Sequence, residues 1–313
     1  MRATPIRILA LVLAGGKGTR LRPLTNGHAK PALPFAGGRR IVDFVLSNLF
    51  NSGIGAVYVL AQYKPRSLID HLNRAWALPS SHQDRFLEVL LPGRKSEPAG
   101  YQGTADAVYQ NLRLIDRHKP DLVAVFAADH VYRMDVQQMA EFHERRDADV
   151  TVSALPVPVK KASSFGVIGA DADGRIAEFE EKPERPSPIP LKPDHAYASM
   201  GNYLFNPDVL IAGLRQANEQ GEHDFGRHLL PRLARTHRTY AYDFATNRVP
   251  GVQPYEEPAY WRDVGTLEAY QDAQHDAAGS TPRFQLENPN WPILRRPAGA
   301  STQRQLEKAA ARF

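Results

Sequence analysis

The sequence contains no cysteine. That absence excludes disulfides, cysteine-held zinc, iron–sulfur clusters and thiol nucleophiles. Long apolar runs are missing too. The longest early one, residues 8–14, is far too short to span a bilayer, and it runs into Gly15-Gly16-Lys17 with no signal-peptide cleavage pattern. A cytoplasmic protein with no membrane partner is expected. Positive charge is in slight excess but concentrated. The formal net charge is +5, of which residues 279–313 carry +4 and residues 1–278 only +1. A body so close to neutral has no evident basic face, and nucleic acid is not an expected partner. None of the 11 histidines forms a pair that combines metal-ligand spacing with a supporting context, and His130 reads as structural. No Gly-x-Ser-x-Gly nucleophile elbow occurs.

What is present is ordinary for a globular chain: 313 residues, 42% hydrophobic and 23% charged. That length predicts two domains or one large α/β domain. Residues 6–14 read as a strand buried on both faces, the kind found in parallel sheets. Strand patterns follow at 56–61, 86–91 and 121–128, separated by helical patterns at 40–52, 64–77 and 104–116 and a Gly/Pro-rich loop at 92–103. Alternation of this kind predicts βαβ units, with ligands at the carboxyl ends of the strands. After residue 149 the pattern becomes β-rich, with short strands at 150–157, 165–170, 175–180 and 197–205. Helices are expected at 207–217, 225–235 and 266–278, and a strand at 240–244. The fold class is therefore α/β: a Rossmann-like, mostly parallel sheet flanked by helices, with an added β-rich half. The expected division is a domain over 1–278, in halves of about 1–149 and 150–278. A Pro-rich extended tail follows over 279–313, with a short helix at 301–312.

The loop after the first strand, Leu13-Ala14-Gly15-Gly16-Lys17-Gly18-Thr19-Arg20, suits close approach to an anion. It is not a Walker A loop, because Gly18 follows Lys17 where Ser or Thr is needed, and Leu21 breaks the dinucleotide fingerprint. An ordinary glycine turn remains an alternative on these residues alone. Isolated polar residues have equally plain alternatives. Asp129 would serve as a helix cap, Asp263 as a turn residue, Lys30 and Lys182 as solvated lysines, and Tyr101 as packing.

The run Leu13–Leu21, with Leu24-Thr25 and Lys30-Pro31-Ala32, resembles the signature of sugar-1-phosphate nucleotidyltransferases. Residues 29–35 and 40–48 then resemble one branch, the glucose-1-phosphate adenylyltransferases. Further matches occur in family order: Gln62-Tyr63, residues 101–107, Asp129-His130-Val131-Tyr132, Phe165-Gly166, Glu181-Lys182-Pro183, Ser199-Met200-Gly201, residues 223–226, residues 260–266 and residues 290–293.

The resemblance implies Mg²⁺-dependent transfer of AMP from ATP to glucose 1-phosphate, giving ADP-glucose and pyrophosphate for α-glucan synthesis. It implies Asp129 and Asp263 as metal ligands, and Arg20 and Lys30 as holders of the triphosphate. Leu13, Ala14, Gly15, Gly16, Gly18, Thr19, Gln62, Tyr101, Gln102, Gly103 and Thr104 would line the nucleotide site. Lys182 would grip the sugar phosphate, with Glu181, Gly166, Ser199, Asp224 and Trp261 around the sugar. Such chemistry joins two anions and needs alignment and charge neutralisation rather than a covalent intermediate. The alternatives are a relative using another nucleotide or sugar, and a non-catalytic regulatory homologue. The intact set Arg20, Lys30, Asp129, Lys182 and Asp263 argues against the latter.

Two departures from the family pattern carry expectations. No hexapeptide repeats appear in 279–313, where the family usually continues into a left-handed β-helix domain. Any homo-oligomer is therefore expected to be smaller than the family's tetramer, and an exposed apolar patch is expected around Trp291–Leu294. Gly27, His28 and Pro34 stand where enterobacterial relatives carry effector-binding side chains, while Arg40 is retained. Weak activation by fructose 1,6-bisphosphate is expected.

Overall fold

The computed structural model describes residues 6–76, 85–93, 100–190 and 192–294. In chain order the elements are β1 (Ile8–Ala14), β2 (Pro34–Phe35), β3 (Arg39–Arg40), α1 (Val42–Asn51), β4 (Ala56–Ala61), α2 (Pro65–Ala75) and β5 (Phe86–Leu90). Next come α3 (Thr104–Tyr109), α4 (Arg113–His118), β6 (Leu122–Ala127), β7 (His130–Tyr132), α5 (Val136–Arg145), β8 (Val150–Pro158), α6 (Val159–Ala162), β9 (Gly166–Ala170) and β10 (Ile176–Glu181). The remainder are β11 (His195–Phe205), α7 (Pro207–Glu219), α8 (Leu230–Thr236), β12 (Thr239–Asp243), β13 (Trp261–Asp263) and α9 (Leu267–Asp276). The α/β class expected from the sequence is the one observed, as a mixed sheet flanked by helices. No helix among the described residues is long and apolar enough to cross a membrane.

Contacts divide the chain into two compact units. The first takes residues up to Leu11, then Pro92–Phe126 and Gln137–Asn247. The second takes Val12–Leu91, Ala127–Val136 and the chain from Arg248 onward. In the first unit the strand order is β10-β9-β11-β6-β1, with β8 pairing β11 and β12. The β8–β11 part is antiparallel, as the β-rich sequence between 150 and 205 suggests. β6 runs parallel to β1: the Leu122 N–H donates to the Arg7 carbonyl, and the Ala128 N–H to that of Leu13. In the second unit β4 and β5 are also parallel.

Two expected helices are broken, each for a local reason. The pattern over 104–116 divides into α3 and α4, because Asn111 and Gln110 turn their amides back onto the chain. The Asn111 Nδ2 donates to the Ala107 carbonyl at 2.8 Å, and the Gln110 Nε2 to Asp106 Oδ2 at 2.8 Å. The pattern over 225–235 begins as a wider π turn, Phe225–Leu229, capped by Asp224, before α8. Pro231 in the first turn of α8 has no N–H to continue the ladder inward.

In the second unit α1 is buried nearly all round, including its polar residues Asp43, Ser47 and Asn48. Each is satisfied by a different neighbour. Asp43 Oδ1 accepts from Trp76 Nε1 at 2.8 Å and lies 2.7 Å from His71 Nε2, while its Oδ2 accepts from the Arg40 N–H. Ser47 Oγ accepts the Leu294 N–H at 2.9 Å, and Asn48 meets Tyr132, Met134 and Trp291. Burial of polar groups requires such pairing, so these side chains act as connectors.

The expectation of an exposed apolar patch at Trp291–Leu294 is overturned. Trp291, Ile293 and Leu294 are buried, as are Phe284 and Leu286. The segment lies against α1 and β3, where Asn51 donates to the Pro292 carbonyl and Arg39 Nε to that of Ile293. The prolines do not leave it loose, because side chains of the earlier chain supply its carbonyls with donors. The helix expected over 301–312 lies outside the described residues.

A buried ion pair fixes this segment further. Arg133 and Glu256 meet at 2.8 Å with side chains 5% and 2% exposed. Glu256 also accepts the Gln285 and Gln253 N–H groups, and Arg133 stacks 4.3 Å from the centre of the Phe284 ring. Removing one partner leaves an uncompensated buried charge. Glu256→Ala is expected to lower stability by about 3–5 kcal/mol, measured by denaturant unfolding. A loss under about 1 kcal/mol would mean that water reaches Arg133.

Candidate active site

The loop leaving β1 turns sharply because Gly18 adopts φ +62°, where a Cβ would lie 2.9 Å from Thr25 Cγ2. Leu21 then anchors the loop in the apolar cluster with Leu33, Phe44 and Val131. Arg20, just before it, is exposed, and its guanidinium stands 3.2 Å from where a Cβ on Gly265 would be. Leu13, Ala14, Gly15, Gly16 and Thr19 line the same stretch, with the Gly15 backbone close to Gln62.

Three distant stretches of the second unit converge beside this loop. β13 pairs antiparallel with β7, so that Asp263 lies opposite His130 and Trp261 opposite Tyr132. Opposed residues share a ribbon face. Asp129 immediately precedes β7, so the two carboxylates and the His130 ring nitrogen come within 4.8 Å of one another. Lys30 Nζ bridges the carboxylates, 2.8 Å from Asp129 Oδ2 and 3.4 Å from Asp263 Oδ1. The helix-cap alternative for Asp129 falls, since the next element is β7 and not a helix.

Electrostatics follow from this geometry. Burial alone would push the Asp129 carboxyl up, yet Lys30 and His130 hold it well below the ordinary carboxylate range. Burial likewise works against the Lys30 charge, but Asp129 and Asp263 raise its pKa above the usual value. Two carboxylates around a seated positive charge offer hard oxygen donors of the kind a divalent cation such as Mg²⁺ takes. The residues therefore fit such an ion.

The first unit holds the other group of expected residues. Lys182, exposed, has the uncommon φ +54° for a residue with a side chain, and its Nζ lies 2.6 Å from Glu181 Oε1. Strain of this kind marks a position held by its surroundings. Glu181 in turn needs two glycines. A Cβ on Gly226 would approach its Oε2 to 2.7 Å, and one on Gly166 to 3.1 Å. Ser199, at a bulge in β11, lies beside the Tyr203 hydroxyl, whose pKa is raised chiefly by burial and further by the Glu181 and Asp224 charges. Asp224 Oδ2 accepts from Thr104 Oγ1 at 3.1 Å, and Gly103 is obligatory because a Cβ there would meet the His223 carbonyl at 2.2 Å.

The remaining expected residues have defined surroundings. Tyr101 is buried, its hydroxyl accepting from Asn111 Nδ2 at 3.2 Å, and Gln102 is held through its N–H to Asp106. Thr104 uses its hydroxyl to tie its loop to Asp224 and Phe225. Trp261 is buried with its ring 5.0 Å from that of His130, in the second unit with Asp263. Sequence reasoning set His130 aside, missed Tyr203, and held Gly226 and Gly265 only as members of matched motifs. Only the cross-strand register and the three-dimensional crowding around Glu181 and Asp263 reveal them.

A family model described as nucleotidyl transferase matches residues 9–280. Glucose-1-phosphate adenylyltransferase of Thermodesulfovibrio yellowstonii is 54% identical over 288 residues, covering 92% of this chain and 70% of that protein. The enzyme of that name from Thermus thermophilus is 48% identical, covering 92% and 71%, and glucose-1-phosphate adenylyltransferase 1 of Vibrio cholerae 44%, covering 91% and 70%. The chain belongs to the nucleotidyl transferase family, in its glucose-1-phosphate adenylyltransferase branch.

Acid stability reports on that bridge. Because the folded Asp129 carboxyl is depressed below its ordinary 3.8, it stabilises the fold above that pH and loses the effect as pH falls below it. Lys30→Gln removes the bridging charge, so Asp129 should titrate closer to normal. With chelator present, the wild type is expected to lose more unfolding temperature between about pH 4 and pH 2 than Lys30→Gln does. Parallel curves would show that Lys30 does not depress Asp129.

Proposed function

We propose that the chain transfers an adenylyl group from ATP to glucose 1-phosphate, forming ADP-glucose and releasing pyrophosphate. The observation that carries this reading is the convergence of Asp129, Asp263 and Lys30 from three distant stretches of a chain in this family. A phosphate oxygen of glucose 1-phosphate attacks the α-phosphorus of ATP, the new P–O bond forms, and the bond to the β-phosphate oxygen breaks. No enzyme nucleophile is required, so the residues' work is alignment and charge neutralisation.

On this reading Asp129 and Asp263 would hold Mg²⁺, which when bound neutralises phosphate charge. Arg20 and Lys30 bind the triphosphate and favour departure of pyrophosphate. The fixed charge and planar fork of Arg20 suit that role. Leu13–Thr19 and Gln62, with Tyr101–Thr104, serve the nucleotide. Lys182 and Glu181 take the sugar phosphate and sugar hydroxyls, supported by Gly166, Ser199 and Asp224. Trp261 contributes by packing against His130. The reaction belongs to cytoplasmic α-glucan synthesis. A nucleotide-binding half and a sugar-phosphate half, about 1–149 and 150–278, are the corresponding division of labour.

Pyrophosphate release across four nucleoside triphosphates and several sugar 1-phosphates, with Mg²⁺ and with chelator, tests this. ATP with glucose 1-phosphate should be fastest and should require the metal. A faster pair would reassign the substrates. Lys182→Gln is expected to raise the KM for glucose 1-phosphate about tenfold or more, the scale of a lost charged hydrogen bond, with the ATP KM within about twofold. A selective rise in the ATP KM would reverse the assignment.

A further inference from the structure

The two carboxylates sit on a ribbon too short to place itself. β7 and β13 pair over three residues each, and an isolated two-stranded ribbon is marginal on its own. Its position must come from side chains. Asn48 supplies the closest grip. Fully buried within α1, it donates from Nδ2 to the Tyr132 carbonyl at 3.1 Å, and its Oδ1 accepts the Met134 N–H at 3.0 Å. One carboxamide thus brackets the backbone on both sides of Arg133. The bracket lies at the Tyr132–Trp261 end of the ribbon, about 7 Å along from the His130–Asp263 end.

Asn48 does not hold this orientation unaided. Its Oδ1 also accepts from the Trp291 indole Nε1 at 3.0 Å. That second donor fixes which end of the amide faces the strand. Trp291 is itself locked: its own N–H donates to Asn288 Oδ1, and Leu294 beyond it bonds Ser47, one residue before Asn48. A chain of hydrogen bonds therefore runs from residue 291, through one buried amide, to the strand that begins beside Asp129.

We infer that Trp291 is a positioning residue for the Asp129–Asp263 pair, acting through the Asn48 carboxamide. The inference rests on the reading of that pair as the site that holds the divalent cation. Its physical basis is that an amide with one acceptor contact fewer has a softer orientation, and the ribbon end it holds inherits that freedom. Partners bonded directly to metal ligands commonly set affinity by about 10–100-fold, so Trp291, acting through Asn48 and the strand, is expected at the low end of that range.

The test compares Trp291→Phe, which keeps a ring but removes the donor, with Ile293→Val, a volume loss in the same buried segment that leaves Asn48 untouched. Unfolding midpoint, kcat and KM for ADP-glucose formation, and binding of Mn²⁺ alone are measured for each. Trp291→Phe is expected to lower kcat about tenfold, well below its unfolding midpoint, with both KM values within about twofold, and to weaken Mn²⁺ binding about tenfold. Ile293→Val should lose stability while keeping wild-type kcat and Mn²⁺ affinity. Wild-type values in Trp291→Phe, or equal losses in Ile293→Val, overturn the inference. Should Trp291→Phe not fold, Asn48→Ser, which removes the amide that accepts the indole N–H, is read by the same criteria. A wild-type protein that binds Mn²⁺ but makes no ADP-glucose would refute the proposed reaction alone, and the Mn²⁺ comparison would still judge Trp291.

Discussion

Two negative charges held within a few ångströms of each other repel, and burial makes the repulsion worse. Asp129 and Asp263 share such a volume because Lys30 stands between them. Much of the second unit is arranged to keep that triad together. β7 and β13 bring the carboxylates side by side, the loop with Gly18 brings Lys30 to them, and α1 holds β7 from behind. A cation suits the carboxylates, and phosphate suits the lysine.

The polar residues buried in α1 explain why this arrangement is specific. Asp43, Ser47 and Asn48 sit where an apolar helix would pack equally well by area alone. Each instead binds its own defined partners: Asp43 takes Arg40, His71 and Trp76, Ser47 takes Leu294, and Asn48 takes the β7 end with Trp291. A buried polar group tolerates one arrangement and penalises the rest, so these contacts set register where hydrophobic packing would allow slippage. Arg133 and Glu256 do the same for the segment around residue 285.

In the first unit crowding takes the place of charge compensation. Glu181 is crowded by Gly166 and Gly226, its charge acts on the Tyr203 hydroxyl, and Lys182 is held at φ +54°. The result is a carboxylate with little room to swing beside a lysine whose backbone is held. Gly103 plays the matching part for the loop 101–104, where no side chain fits against the His223 carbonyl.

Periodicity in the sequence was enough to place β1, β4, β6 and most helices, because long apolar runs and amphipathic stripes are local properties. Ordered short motifs were enough to identify the family and to single out Lys30, Asp129, Lys182 and Asp263. Breaks within helical patterns, at 110–112 and 225–229, were not legible, since they depend on which partners Asn111, Gln110 and Asp224 find. The burial of Trp291–Leu294 was not legible either: a Pro-rich segment looks loose until α1 and Arg39 supply its partners. The sequence by itself determined the element types, the family and the residues able to carry charge. Only the tertiary structure decided which charges meet, because Lys30, Asp129 and Asp263 are far apart along the chain and become neighbours only through strand register and buried hydrogen bonds.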